Sequence, residues 1–386
     1  MRVWVCNPFD LLPGEGARLQ RYGLLCRSLS CAGHRVVWWS SDFCHLSKRR
    51  RASPPPGFGE VEIRLVPTRP YRRNISLARV WSHLRYAGMW RKLAEASGER
   101  PDLIVASLPP LGACEAAVAF ARRVGCAVVV DLMDAWPEVF EQLVPRPFLS
   151  PFYRQAQRIL DGATAVSGVG QTYLDLARSK RPSVPIHRCY HGIDLPTFSP
   201  ERCAPEGVRL CYVGNLGVQY NLPELVDAVR LARARGISVT LDVAGDGPRR
   251  AWLESVCGEG IAYHGLLGEG ALAGLMATCT IGVVPMRRAT WVAVPYKLAD
   301  YCAAGLAIAN GLSGECARLV EAYRCGESYD PQAPRTLLAL IEKWAREPHL
   351  LRSMQTASRR LAEARFDAAR TYPRFVDWLE NIAASR

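Results

Sequence analysis

The residues best suited to chemistry lie between Val294 and Asn310, above all in Val294-Pro295-Tyr296-Lys297-Leu298-Ala299-Asp300-Tyr301-Cys302-Ala303-Ala304-Gly305. Pro295 suits the first position of a helix, where its missing N–H costs nothing. Gly305 suits the stop. The start of such a helix offers unpaired backbone N–H groups to phosphate or sugar oxygens. Lys297 in the first turn adds a compact charge for a phosphate. Lysine is rare here, at 48, 92, 180, 297 and 343, and arginine serves almost everywhere else. An ammonium at this place therefore points to a need for a point charge. Asp300, one turn on, can accept from two neighbouring ribose hydroxyls. The same pair at i, i+3 also suits an ordinary surface helix, so these two residues alone do not decide the matter.

Four further segments have the form of ligand loops. Leu241-Asp242-Val243-Ala244-Gly245-Asp246-Gly247-Pro248 and Cys211-Tyr212-Val213-Gly214-Asn215-Leu216-Gly217 each run from a strand into a glycine turn. Glycine there lets a ligand approach the backbone, and ligands in open α/β sheets bind outside the carboxyl ends of strands. Leu11-Leu12-Pro13-Gly14-Glu15-Gly16-Ala17 opens the first helix, but Leu19 stands where a dinucleotide fingerprint requires its third glycine, which argues against NAD. Val130-Asp131-Leu132-Met133-Asp134-Ala135-Trp136-Pro137 places two acids at a strand end, as a cleft wall or as helix caps.

These loops need strands and helices to position them. Val3–Cys6, Arg35–Trp39, Leu103–Ala106 and Ala127–Asp131 are continuous apolar runs of the kind found in parallel sheets covered on both faces. A helical pattern spans Ala17–Ala32, stopped by Gly33. A second series follows: strands at Val208–Val213, Ser238–Ala244, Thr280–Pro285 and Leu306–Asn310, with helices at Pro223–Arg235, Arg249–Val256 and from Tyr296. The chain thus reads as two alternating α/β halves, joined through the Pro-bearing stretch 194–205. Arg51–Gly59, with three consecutive prolines, is a loop. Leu77–Leu93 is a helix whose Trp81, Leu84 and Trp90, among several arginines, suit either a lipid interface or ordinary packing. The helix Phe366–Ala384 carries an apolar stripe of Tyr372, Phe375, Trp378 and Leu379 that must be buried.

With 386 residues, 49% hydrophobic and 22% charged, the chain has the length and balance of two globular domains. No apolar run approaches the ~18 residues of a membrane span. The short start Met1–Asn7 reads as a first strand rather than a signal peptide, giving a cytoplasmic expectation. The 14 cysteines form no C-x-x-C pair and read as small reduced hydrophobes. No metal-ligand spacing or D-x-D is present, so neither a metal nor another cofactor is expected. The net charge of +13 implies an anionic partner. Its concentration in Lys48–Arg51 and Arg69–Arg73, without a nucleic-acid motif, favours an anionic membrane surface over nucleic acid.

In order and spacing the chain resembles the retaining glycosyltransferases of family 4, of GT-B architecture and polysaccharide-assembly type. Cys189-Tyr190-His191-Gly192-Ile193-Asp194 is similar to the family's N-G-I-D signature, Pro295–Gly305 to its P-x-K-x-x-E-Y-x-A-x-G form, and Asp131–Pro137 to D-x-R-D-x-W-P. The resemblance implies two facing Rossmann-like domains: an acceptor-side domain at 1–193 plus 366–386, to which the last helix crosses back, and a donor domain at 194–365. It implies a hexosyltransferase moving a sugar from a UDP- or GDP-sugar to a saccharide acceptor, lipid-linked, in surface-polysaccharide synthesis, peripheral on the inner membrane face. Gly14 and Gly16 would form the acceptor-side loop. Gly214, Asn215, Gly245, Gly247, Tyr296, Lys297 and Asp300 would line the donor pocket, with Asp134 and Asp131 at the catalytic centre. Three departures stand out: Val292 replaces the first acid of E-x7-E, Asn215 and Tyr220 or Asn221 replace the usual Arg and Lys, and Met133 replaces an Arg. Lys297 with Arg287 or Arg288 would then supply the missing charge. A sugar-nucleotide epimerase or hydrolase, or a non-catalytic binding protein, are the rival readings.

Overall fold

The computed structural model describes all residues except 16–17, 75, 199–206, 287–290 and 386. The chain divides into two compact units, residues 1–192 with 369–386, and residues 193–368. The boundaries expected from the sequence are 193/194 and 365/366.

The first unit is built on seven strands: β1 (Arg2–Cys6), β2 (Arg35–Ser41), β3 (Val61–Val66), β4 (Leu103–Leu108), β5 (Ala127–Leu132), β6 (Ala165–Gly168) and β7 (Ile186–Arg188). They form one parallel sheet in the order β3-β2-β1-β4-β5-β6-β7. The order reverses at β1, so the crevice beyond its carboxyl end is where such a sheet takes a ligand. Every residue of β4 and β5 is buried, as the unbroken apolar runs require. Helices pack on the sheet over an aromatic core in which Trp4 stacks on Phe120 (5.2 Å) and meets Trp39 (5.3 Å) and Trp90 (6.3 Å) edge-on. Trp90 is therefore a core residue, not an interfacial one; it sits on the inner face of the Leu77–Ala96 helix, opposite Trp81 and Leu84. The first helix begins at Arg21 rather than Ala17 because Gln20 is extended, and the chain before it is drawn into a turn closed by Glu15 on the Leu12 N–H (2.8 Å) and clamped by Arg51 (2.6 Å). The last helix, Ala368–Ala384, buries its stripe in this unit: Phe375 and Trp378 stack on His187 at 5.3 and 5.0 Å.

The second unit holds β8 (Val208–Val213), β9 (Val239–Ala244), β10 (Ile261–Tyr263), β11 (Ile281–Val284), β12 (Ala307–Asn310) and β13 (Gly326–Ser328). This parallel sheet runs β10-β9-β8-β11-β12-β13, with the reversal at β8. Leu210, Leu225, Val229, Leu241, Ile341 and Trp344 lie in its core. Pro295 stands one place earlier than expected: it is extended (φ −75°, ψ 150°), and the helix starts at Tyr296. The described cysteines are free thiols, all buried except Cys31 and Cys257.

Candidate functional site

In the second unit, β8 and β9 deliver two glycine turns side by side. The Gly214 N–H donates to the Ala244 carbonyl (2.9 Å), Leu216 N–H to Asp246 (2.9 Å), and Arg249 N–H to Leu216 (3.1 Å). Gly214, Gly245 and Gly247 have φ of +133°, +141° and +157°, which only glycine adopts without strain. A Cβ on Gly245 would strike the Gly214 carbonyl, and one on Gly247 would meet the Leu216 backbone at 2.7 Å. The turns are thus closed against each other at the carboxyl end of the strand where the sheet reverses, with Asn215 and Asp246 exposed at their tips.

Lys297 rises from the first turn of the Tyr296–Ala303 helix into the underside of this structure. It is 6% exposed, and a Cβ on Gly214 would lie 3.3 Å from its Cε and Nζ. Nζ donates to the Tyr212 hydroxyl (3.3 Å) and sits over the rings of Tyr220 (3.7 Å) and Tyr212 (4.5 Å). Burial pulls its pKa from 10.5 to about 7, against the opposing pull of Asp300. Asp300 is buried one turn further along. Tyr296, half-buried, opens the helix. The Tyr301 hydroxyl accepts from the Val213 N–H (2.8 Å), fixing the helix to the end of β8, and Gly282 leaves room for its ring. The sequence did not reveal the tyrosine cage. Its signal was Tyr220, near the place where the resemblance implies a lysine: the face of that ring holds Lys297, which comes from elsewhere in the chain. Asn221 has a different use, donating to the Pro331 carbonyl. Arg287, Arg288 and Gly16 lie outside the described residues.

In the first unit, the expectation for Asp131 is corrected. Its side chain is wholly enclosed and receives Arg21 through Nε (2.7 Å) and Nη2 (2.8 Å), the Tyr22 hydroxyl (2.7 Å) and Ser167 Oγ (2.6 Å). Burial raises its pKa, but the Arg21 charge and these donors outweigh burial and hold it below the usual carboxylate range. Asp131 is therefore an anion that ties the first helix to β5 and β6. Asp134, past the end of β5, is half-buried, accepts from the Ala135 N–H (2.9 Å) and is raised in pKa by burial. Gly14 sits in the Leu12–Glu15 turn with φ +84° and open space beside it.

The loops after β1, β2, β3 and β5 bring a further group together that the sequence did not connect. Arg79 lies over the rings of Phe9 and Trp136, each at 5.8 Å, and its Nε donates to His83 Nε2 (3.3 Å). His45 pairs with the Tyr71 hydroxyl, and Lys48 sits over the Tyr71 ring at 4.7 Å. Burial, reinforced by the neighbouring cations, lowers both histidines to about 3, so both are neutral at physiological pH. No sequence motif announces this cluster, because its members come from four separate loops and the Leu77–Ala96 helix.

Two family profiles cover most of the chain: "Glycosyl transferase 4-like domain" matches residues 20–190 and "Glycosyl transferases group 1" matches residues 207–346. The chain belongs to the GT-B glycosyltransferases. It is similar to the GDP-mannose-dependent alpha-(1-6)-phosphatidylinositol dimannoside mannosyltransferase of Mycobacterium tuberculosis, 27% identical over 236 residues. That match spans 53% of this chain and 57% of the relative, so the chain spans little over half the length of the curated relative. Among solved structures, sucrose-phosphate synthase of Thermosynechococcus elongatus aligns over 100% of both chains with a TM-score of 0.79 at 14% identity. Anabaena Alr3699/HepE in complex with UDP and glucose aligns over 99% of this chain and 100% of its own, with a TM-score of 0.69 at 14% identity. These likenesses are of fold.

Proposed function

We propose that this GT-B glycosyltransferase is a retaining enzyme of family 4 that transfers a hexose from a UDP- or GDP-sugar to a lipid-linked saccharide in surface-polysaccharide synthesis. The observation that carries the donor side is Lys297, buried under the Gly214 turn where the sheet order reverses. The leaving diphosphate lies along the Gly214 and Gly245–Gly247 turns, and Lys297 meets its negative charge. Asp300 holds the ribose. The bond from the anomeric carbon to the diphosphate breaks with its electron pair on the diphosphate. The acceptor oxygen bonds to the same face, and its proton passes to the leaving oxygen. Asp134 stands on the acceptor side. The similarity to a phosphatidylinositol dimannoside mannosyltransferase supports a lipid-linked acceptor.

The same reading places the protein on an anionic membrane surface. On the Leu77–Ala96 helix, Leu77 (78% exposed), Val80 (47%), Trp81 (58%) and Leu84 (54%) form an i, i+3, i+4, i+7 stripe facing solvent, beside Arg72, Arg73 and Arg85. No helix among the described residues is long and apolar enough to cross a membrane.

Turnover of a donor panel with a lipid-linked acceptor, read by mass spectrometry and by NMR of the new anomeric centre, tests the function. A product that keeps the donor's anomeric configuration, formed equally well in EDTA, is expected. Free or epimerised sugar without acceptor consumption would overturn the transferase reading in favour of an epimerase or hydrolase. No binding of any UDP or GDP derivative would leave a non-catalytic protein.

A further inference from the structure

We propose that Lys48 and Arg79 form a subsite for a phosphoryl group carried by the acceptor, walled by the rings of Phe9 and Trp136. This rests on the glycosyl-transfer reading and names the chemistry of the acceptor.

The two cations are gathered on one residue. Lys48 Nζ donates to Asn74 Oδ1 (2.6 Å) and to the His45 carbonyl (2.6 Å), while Arg79 Nη1 donates to the Asn74 carbonyl (2.8 Å). They are close enough that, after burial, the Arg79 charge is the main cause lowering the proton affinity of Lys48. Bringing like charges together out of water is unfavourable unless an anion joins them. Among the described residues no carboxylate lies within ion-pair distance of either. Asp42 is occupied by Arg50 (2.6 Å) and by the Thr68 N–H and hydroxyl (2.7 Å each). Asp134 acts on Arg79 only at longer range. His45 and His83 carry no charge at neutral pH, so the cluster keeps two positive charges without a paired counter-ion.

A second observation is independent of charge. Lys48 has φ +58°, the left-handed region that a lysine rarely adopts. Such strain persists where the surroundings over-determine it, and ligand clamps are one such place. A positive φ aims the Lys48 side chain back toward Asn74 and Tyr71 rather than out to water.

The geometry suits a phosphoryl group better than a carboxylate. Two separate cations, one a compact ammonium and one a fork, match three oxygens bearing up to two charges. The site also sits past the carboxyl end of β1, where this sheet reverses. Arg79 lies against the rings of Phe9 and Trp136, and the exposed Val80 is its neighbour on the helix, so an alkyl chain leaving the phosphate meets apolar surface before it reaches Leu77, Trp81 and Leu84 on the far side. This favours a lipid phosphate over a soluble sugar phosphate.

Equilibrium titration of the full chain with octyl phosphate below its micelle concentration, glucose 1-phosphate and inorganic phosphate tests this. Wild type is expected to bind octyl phosphate most tightly. Lys48→Gln and Arg79→Gln should each weaken it at least tenfold while keeping UDP or GDP affinity, and Lys297→Met should do the reverse. Preference for glucose 1-phosphate, with the same variant effects, would move the source to a sugar phosphate and overturn the lipid assignment. Unchanged octyl phosphate binding in a Lys48→Gln variant that keeps its UDP or GDP affinity would overturn the subsite itself. So would a wild type that binds none of the three. Loss of nucleotide binding alone would instead strike at the donor reading.

Discussion

Replacing Lys297 by methionine separates stability from donor binding. The folded chain lowers the Lys297 pKa from 10.5 to about 7, which at about 1.4 kcal/mol per unit costs the charged form roughly 5 kcal/mol. Lys297→Met keeps the length of the side chain and removes the ammonium, so it should stabilise the protein by up to roughly 5 kcal/mol at pH 6. Between about pH 7 and 10.5 the unfolded chain carries the lysine proton and the folded chain does not, so wild-type stability rises with pH across that window. The advantage of the variant should therefore shrink from pH 6 to 9. Donor affinity moves the other way, because the diphosphate requires the charged form: it should fall above about pH 7 in wild type and be lost about 10- to 100-fold in the variant, the range of a charged hydrogen bond. Urea unfolding at pH 6 and 9, with UDP and GDP titrations at the same pH values, measures both. A variant less stable than wild type at pH 6, or wild-type nucleotide affinity flat from pH 6 to 9, would refute the reasoning.

Other substitutions probe the remaining parts. Asp131→Asn leaves Arg21 buried without its counter-charge and should destabilise by about 3–5 kcal/mol in urea unfolding; loss of turnover at unchanged stability would restore Asp131 to catalysis. Gly245→Ala sets a Cβ against the Gly214 carbonyl, and should abolish the thermal shift produced by nucleotide; a normal shift would show that the two turns do not form the donor site. Trp81→Glu with Leu84→Glu changes two exposed positions; it should leave the melting temperature within about 2 °C and remove co-sedimentation with anionic vesicles. Binding equal to wild type would move the membrane contact elsewhere.

The framework was legible because buried parallel strands are written as unbroken apolar runs: Val208–Val213 was placed to the residue, and β4 and β5 to within two. The strands β3, β6, β7, β10 and β13 went unread: Val61–Val66 is interrupted by Glu62 and Arg64, and the others are only three or four residues long. Trp81 and Trp90 look alike in sequence; only the rotation of their helix, which turns Trp90 onto Trp4, sends one to the core and the other to solvent. The two acids of the β5 end divide in the same way. A strand alternates faces, so Asp131 turns inward to Arg21, whereas Asp134 lies past the strand and escapes that alternation. The Lys297 cage and the Lys48–Arg79 cluster depend on contacts between distant loops, for which a single sequence carries no spacing signal.

The return of residues 369–386 to the first unit has a consequence for synthesis. Domains tend to complete themselves as they leave the ribosome, the first before the second. Here the second unit is contiguous in the chain, while the first waits for the helix that covers His187 with Phe375 and Trp378 and brings Glu380 to His34. At ordinary elongation rates that wait lasts roughly 10–40 s. During it the first half exposes an apolar seam that belongs to this later-made segment. Nascent chains of this protein should therefore occupy chaperones longer than the size of either unit suggests, and a stall in the second half would leave the first half made but unfinished.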